Sequence, residues 1–286
     1  MASKPKSARE QLGGKRQSAG KGISDKEVRE VEELSTPRTP VIFEIVRRHG
    51  EEELERPAVS LWWSGLAAGL SMSFSLLAQA ILQSHLPDTP WRPLVVSFGY
   101  CVGFLMVVLS RQQLFTESTI TAVIPITANL TLRNLGRMGR LWVIVLAANL
   151  TGTLFAALFC TYTPVLSPDL LKQMLVISEH LTTLSVVEMF FRAIAAGFLV
   201  AALVWLRPGA EGNQFHVITL MSYLIAVGGF THVIAGSMEA FLLVADGQQG
   251  VWFVVGHFMA PTLLGNIVGG TALFTVISYA QVMKEI

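Results

Sequence analysis

The chain has 286 residues, of which 52% are hydrophobic and 14% charged, with a formal net charge of +1 at pH 7. Charge this sparse, against about 25% in soluble domains, excludes an ordinary soluble globular protein. The near-neutral balance also gives nucleic acid nothing to bind.

Residues 1–58 hold twelve of the 21 Lys and Arg and eleven of the 20 Asp and Glu. Within that stretch, residues 1–38 are rich in Lys, Ser, Gly and Glu and carry no apolar run, so they read as a disordered cytoplasmic tail rather than a signal peptide. Residues 39–57 follow as an amphipathic surface helix. Val41, Ile42, Ile45 and Val46 are set against Glu44, Arg47, Arg48 and Glu51 to Glu53. Such a helix lies either on the membrane surface or on the cytoplasmic face of the chain itself.

Residues 58–283 read as a six-span transmembrane domain. A bilayer-crossing helix needs about 20 apolar residues, and the candidate spans are roughly 59–83, 94–126, 140–162, 187–207, 215–245 and 252–281. The second and fifth are too long for simple spans, and both are interrupted. The second breaks at Arg111-Gln112-Gln113 and resumes at Leu114-Phe115-Thr116; the fifth breaks at Gly228-Gly229 and resumes at Phe230-Thr231-His232. Irregular backbone at membrane depth survives only where protein buries it or a cavity solvates it. Arg133, Arg137, Arg140, Arg207 and Lys284 fall on one side of the spans, and only Arg92 and Lys172 on the other. The excess marks the cytoplasmic side and puts both termini there.

The spans also repeat. Leu66-Ala67-Ala68-Gly69-Leu70 returns as Ile194-Ala195-Ala196-Gly197-Phe198, Phe115-Thr116 as Phe230-Thr231, and Ala148-Asn149-Leu150-Thr151-Gly152-Thr153 as Gly265-Asn266-Ile267-Val268-Gly269-Gly270-Thr271. The order is kept and the offset is about 115 to 128 residues. Three spans per copy, an odd number, predict an inverted 3+3 repeat, an arrangement that builds a pathway at the seam between copies.

Ionisable side chains at membrane depth are expensive and mark function. Here they are Arg111, Glu117, Glu188, Arg192, His232 and Glu239. Glu188 and Arg192, at i and i+4, are predicted to pair. His232 follows the second break directly, at the start of a half-helix whose dipole attracts anions, and its imidazole can hold or lend a proton. The first break supplies the opposing wall. Thr116 and Thr231 offer hydroxyls, while Leu114 and Phe115 offer bulk. Glu239 lies two helical turns beyond His232, toward the same face. The two cysteines, Cys101 and Cys160, sit in apolar runs without CxxC spacing and read as core thiols. No Ser or Cys nucleophile has a base at motif spacing, and His49, His85, His180, His216 and His257 lack metal-ligand spacing. No enzyme, metal or cofactor is implied.

Three segments carry a resemblance to the formate/nitrite transporter family, closest to its divergent YfdC-like branch. They are Arg111-Gln112-Gln113-Leu114-Phe115-Thr116, Gly229-Phe230-Thr231-His232-Val233-Ile234-Ala235-Gly236-Ser237-Met238, and Gly265 to Gly270. The resemblance implies an aquaporin-like protomer in an inner (cytoplasmic) membrane. It further implies a homopentamer with one pore per protomer, and passage of formate, nitrite or a related small anion, with or without a proton. Carried over position by position, His232 is the central pore histidine and Thr116 its neighbour. Leu114 and Phe104 form the inner constriction, Tyr100 and Ile225 the outer one, and Asn266 is the polar pore residue of span six. Thr231 replaces the family's glutamate, Gly236 its asparagine, Ala201 the asparagine of span four, and Arg111 and Gln113 the glycine and acid of the loop. Arg111, Gln113 and Glu239 are thus candidate modulators.

The sequence therefore predicts an all-α integral membrane protein of six transmembrane helices, with spans two and five broken, that passes small monovalent anions. Two other readings compete with it: a pore for a neutral or weak-acid solute, and a non-conducting membrane protein whose tail binds a partner.

Overall fold

The computed structural model describes Ser24, residues 37–127 and residues 130–285. Apart from Ser24, Pro37 and Arg38, the expected tail lies outside the described residues. The body that begins at Arg38 is built of helices, with no strand among the described residues.

Helix α1, Thr39–Glu55, opens with Pro40 in its first turn, where a missing N–H costs nothing, and stops ahead of Pro57. Its buried residues Phe43, Val46, Gly50 and Leu54 recur at three- and four-residue spacing, which makes one face. That face packs on the chain itself. The Phe43 ring lies 6.4 Å from that of Trp205 and 6.0 Å from that of Tyr279. Gly50 approaches so closely that a Cβ there would meet the Thr121 carbonyl oxygen at 1.8 Å. On the opposite face Glu44 accepts from both Arg47 and Arg48, and these hydrogen bonds lower its carboxyl to about 2.

Five helices are long and apolar enough to cross a membrane: α2 (Ala58–His85), α3 (Arg92–Leu109), α6 (Leu132–Tyr162), α9 (Val186–Leu206, continued by a 3-10 turn to Gly209) and α12 (Phe253–Val282). The second predicted span is α3 followed, after the break, by the seven-residue α4 (Phe115–Thr121) and the single turn α5 (Ile124–Thr127). The fifth is α10 (Gln214–Val227) and α11 (Val233–Ala245). Two short helices, α7 (Pro168–Ser178) and α8 (His180–Thr183), precede α9. Within α12, residues Phe253–Met259 and Val268–Thr275 take the wider π-helical winding.

In lipid the hydrophobic effect does little to hold helices together, so close packing of small residues decides. Two of the crossings where it falls are alike. Between α2 and α6, a Cβ at Gly69 would meet the Asn149 carbonyl oxygen at 2.1 Å, and one at Gly152 the Leu66 carbonyl oxygen at 2.5 Å. Between α9 and α12, Gly197 stands in the same way to the Asn266 carbonyl at 2.3 Å, and Gly269 to the Ile194 carbonyl at 2.0 Å. Glu188 and Arg192 take different partners, contrary to the predicted pair. Glu188 closes a capping box with Ser185, and Arg192 Nη1 donates to the Gly229 carbonyl at 3.3 Å.

Candidate functional site

The two breaks are built alike. Each contains one residue in the left-handed region, Arg111 at φ 54° and Gly229 at φ 61°, three positions before an extended residue that caps the next helix. The capping residues are Leu114 (φ −106°, ψ 127°) and His232 (φ −118°, ψ 124°). A fully buried asparagine then clamps each break, Asn149 of α6 the first and Asn266 of α12 the second. Asn149 Oδ1 accepts from Phe115 N at 2.9 Å, while its Nδ2 donates to the carbonyls of Gln113 (2.9 Å) and Gly65 (2.8 Å). Asn266 Oδ1 accepts from Val233 N at 2.9 Å, while its Nδ2 donates to the carbonyls of Thr231 (3.1 Å) and Ala193 (2.8 Å).

This geometry changes three expectations. The clamping bonds set Leu114 against His232, where the likeness of Phe115-Thr116 to Phe230-Thr231 had set Glu117, so that likeness is three residues out of register. The N–H groups of Phe115 and Val233 are taken by asparagine side chains, so neither is aimed at a solute. Asn266, named as a polar pore residue, has its whole amide committed to backbone groups.

The breaks meet at His232. Thr116 Oγ1 lies 2.7 Å from His232 Nε2, and Ala235 N donates to His232 Nδ1 at 3.2 Å. Because a backbone N–H can only donate, Nδ1 is the acceptor nitrogen and the ring proton of the neutral imidazole sits on Nε2, facing Thr116. The Phe104 ring packs edge-on against the imidazole at 5.2 Å, and Tyr100 leans on Phe104 at 5.4 Å. Thr231 is spoken for, its hydroxyl donating to the Met189 carbonyl at 2.8 Å. Phe115 turns away from His232 and packs edge-on against Trp142 at 5.7 Å.

Two cavities approach this cluster. One, of about 330 Å3, reaches His232 itself and is walled by Tyr100, Ile225, Thr231 and Glu239. The other, of about 470 Å3, lies between α1, the first break and Arg207, and includes Arg111, Gln113 and Glu117. Leu114 and Phe104 are both fully buried and line neither cavity. Glu53 of α1 binds the wall of the larger cavity. It accepts from Gln113 Nε2 at 3.2 Å and from Thr121 Oγ1 at 2.5 Å, while burial pushes its carboxyl up. Sequence reasoning missed Glu53, because four glutamates among six residues, Glu51 to Arg56, give no sign of which one turns inward. It missed Asn149 as a clamp although the repeat had already paired it with Asn266. Among the described residues, no group of three His, Cys, Asp or Glu is placed to hold a metal ion.

The sequence model of the family described as formate/nitrite transporter matches residues 40–280. The chain is 42% identical over 257 residues to the inner membrane protein YfdC of Escherichia coli (strain K12), covering 90% of this chain and 83% of that one. It is 25% identical to the formate channel FocA of Haemophilus influenzae, over 76% of this chain and 84% of the relative. Among solved structures, it superposes on an FNT family ion channel with a TM-score of 0.71 at 19% identity, covering 85% of this chain and 98% of that one. A pentameric formate channel with formate bound gives 0.65 at 20% identity, covering 79% and 98%. These last two likenesses speak to the fold alone. A broken-helix bundle clamped by paired asparagines and a sequence matched from the surface helix to the last span agree: the chain belongs to the formate/nitrite transporter family, whose members are membrane channels and transporters rather than enzymes.

Proposed function

We propose that this protein passes small monovalent anions of the formate and nitrite kind through each protomer, by way of His232, in an inner membrane. The observation that carries the reading is the contact of Thr116 with His232, which joins the two breaks at the inner end of the smaller cavity. A solute arriving there meets the polar edge of an imidazole and then the apolar pair Phe104 and Leu114. A short constriction with one donor at its centre is a geometry that discriminates small ions by desolvation.

The six spans form an inverted 3+3 repeat in this reading, with both termini cytoplasmic. The paired clamps at Asn149 and Asn266, the paired left-handed residues and the paired glycine crossings support it. The homopentamer is supported by the pentameric formate channel among the structural neighbours. The larger cavity is then the cytoplasmic mouth, with Arg111 and Gln113 modulating entry, and the smaller one the outer vestibule, with Tyr100 and Ile225 on its wall. A second reading, passage of an uncharged weak acid, is favoured by Thr231, which stands in the glutamate's place and has its hydroxyl engaged elsewhere.

The test is uptake of labelled formate, nitrite, acetate and lactate into liposomes holding the purified full-length protein, with internal pH recorded. Uptake of at least one anion that His232→Ala abolishes or uncouples from protons is the expected result. Absence of flux above empty liposomes, from a well-assembled oligomer, refutes it.

A further inference from the structure

The outer vestibule contains a carboxyl group that an anion pathway has no evident use for. Glu239 lies on α11 seven residues beyond His232, and the side chain is 6% exposed, with an oxygen, Oε2, that makes no hydrogen bond. The residue between them on that helical face is Gly236, which also lines the cavity and leaves its place on the face to the Phe258 ring. A Cβ added to Gly236 would strike the Phe258 ring at 2.6 Å.

Among the described residues that line the cavity, the charged and titratable groups besides Glu239 are Arg92, Tyr100, His180 and His232. From α8, His180 Nδ1 lies 3.4 Å from Oε2, but it is already bonded to the Ile177 carbonyl at 2.8 Å. As donor to that carbonyl, Nδ1 carries the proton of a neutral ring, so His180 need not be a cation. From α3 come Tyr100 and Arg92, and the Arg92 guanidinium is held by Asp88 at 3.0 Å. From α2 come only the amides of Gln79 and Gln83, and α12 presents Phe258. On its own helix the remaining group is His232. His180 is therefore the one group placed to oppose the charge of Glu239, and its Nδ1–H serves the Ile177 carbonyl in the neutral and the charged ring alike. With that ring neutral, the buried carboxyl has no cation beside it, and a carboxylate so placed neutralises by taking a proton.

We propose that Glu239 holds a proton in the outer vestibule and gives it to the entering anion. This inference rests on the small-anion reading for the hand-over but not for the proton's residence. In the hand-over the Oε–H bond of Glu239 breaks, the proton bonds to an oxygen of the anion, and the electron pair stays on the carboxylate. The anion goes on to His232 as its neutral acid, and the carboxylate is reprotonated by hydronium from the solvent at the vestibule mouth. The negative charge therefore stops at Glu239, and what meets Phe104 and Leu114 is uncharged. Glu239 takes over, two turns outward, the place left by the carboxylate that Thr231 replaces.

Infrared difference spectroscopy on the reconstituted full-length protein tests the residence of the proton. A protonated-carboxyl stretch at pH 7.5, shifted in deuterium oxide and missing from Glu239→Gln, is expected. A spectrum in which Glu239→Gln removes no such band overturns the proposal, whatever the flux. Uptake with internal pH recorded tests the hand-over. Glu239→Gln is expected to slow formate uptake at least tenfold at pH 7.5 and to abolish its proton signal, while Glu239→Asp keeps both. Wild-type rates and coupling in Glu239→Gln overturn the hand-over. The band present in a wild type that moves no anion refutes the small-anion reading and leaves the proton on Glu239 supported.

Discussion

Asn266 is the most economical place to break this molecule, because one side chain there serves three backbone groups. Asn266→Ala leaves the Val233 N–H and the Thr231 carbonyl buried without partners, losing bonds of 2.9 and 3.1 Å. The third acceptor, the Ala193 carbonyl, lies inside α9 and keeps its helical donor, so its loss counts for less. An orphaned buried backbone group costs about 1–3 kcal/mol. Two of them, with the small cavity left by the amide, come to about 3–5 kcal/mol. At about 2–4 °C per kcal/mol this is a fall in Tm of roughly 6–20 °C, readable by differential scanning fluorimetry of the purified oligomer. Asn149→Ala removes bonds of 2.9, 2.8 and 2.9 Å from the other break and is expected to match it within about 1 kcal/mol. Both variants also loosen the cap on which Thr116 or His232 is carried, so flux falls with stability. A shift below about 1 °C in either variant refutes the clamp, and a large shift in one alone refutes the equivalence of the breaks.

Thr116→Val deprives His232 Nε2–H of its acceptor and is expected to reduce flux about 5- to 150-fold at equal oligomer yield, as follows from about 1–3 kcal/mol for the orphaned donor. Phe104→Ala removes the ring packed edge-on against His232; uptake of lactate should rise relative to formate, while stability falls by about 3–5 kcal/mol. For α1, hydrogen bonds from Arg47 and Arg48 lower Glu44 from 4.5 to about 2, so the ion pairs support the helix above pH 4.5 and are lost as pH falls through about 2. Limited proteolysis should therefore begin to cut α1 in that interval, and Glu44→Gln should make the cutting independent of pH there.

The breaks were legible because nothing in Arg111-Gln112-Gln113 or Gly228-Gly229 suits an uninterrupted apolar helix. The glycine crossings were legible as small residues in matching places, since a backbone can approach another only where side chains vanish. Side-chain direction was another matter. Asn266 was read as a pore residue, and a single sequence carries no signal that turns its amide to the backbone instead. The same limit hid Glu53 among its neighbouring glutamates. It also hid His180, which reaches Glu239 from a separate four-residue helix 59 positions earlier in the chain. The register of the repeat was misread at the breaks because Phe-Thr recurs by chance three residues away from the true match, and only the clamping bonds fix which residue answers which.

The two turns, alike in shape, differ in tension. Gly229 adopts its positive φ without a side chain to resist it, whereas Arg111 holds nearly the same angle against its own Cβ. A left-handed residue other than glycine sits about 1–2 kcal/mol above its relaxed state. The first break is therefore the one under load, and heat or detergent that loosens the bundle releases it there before the second has anything to give. The strain in the pair therefore lies on one side, the one that carries Arg111 and, through Glu53 and Gln113, the arm of α1.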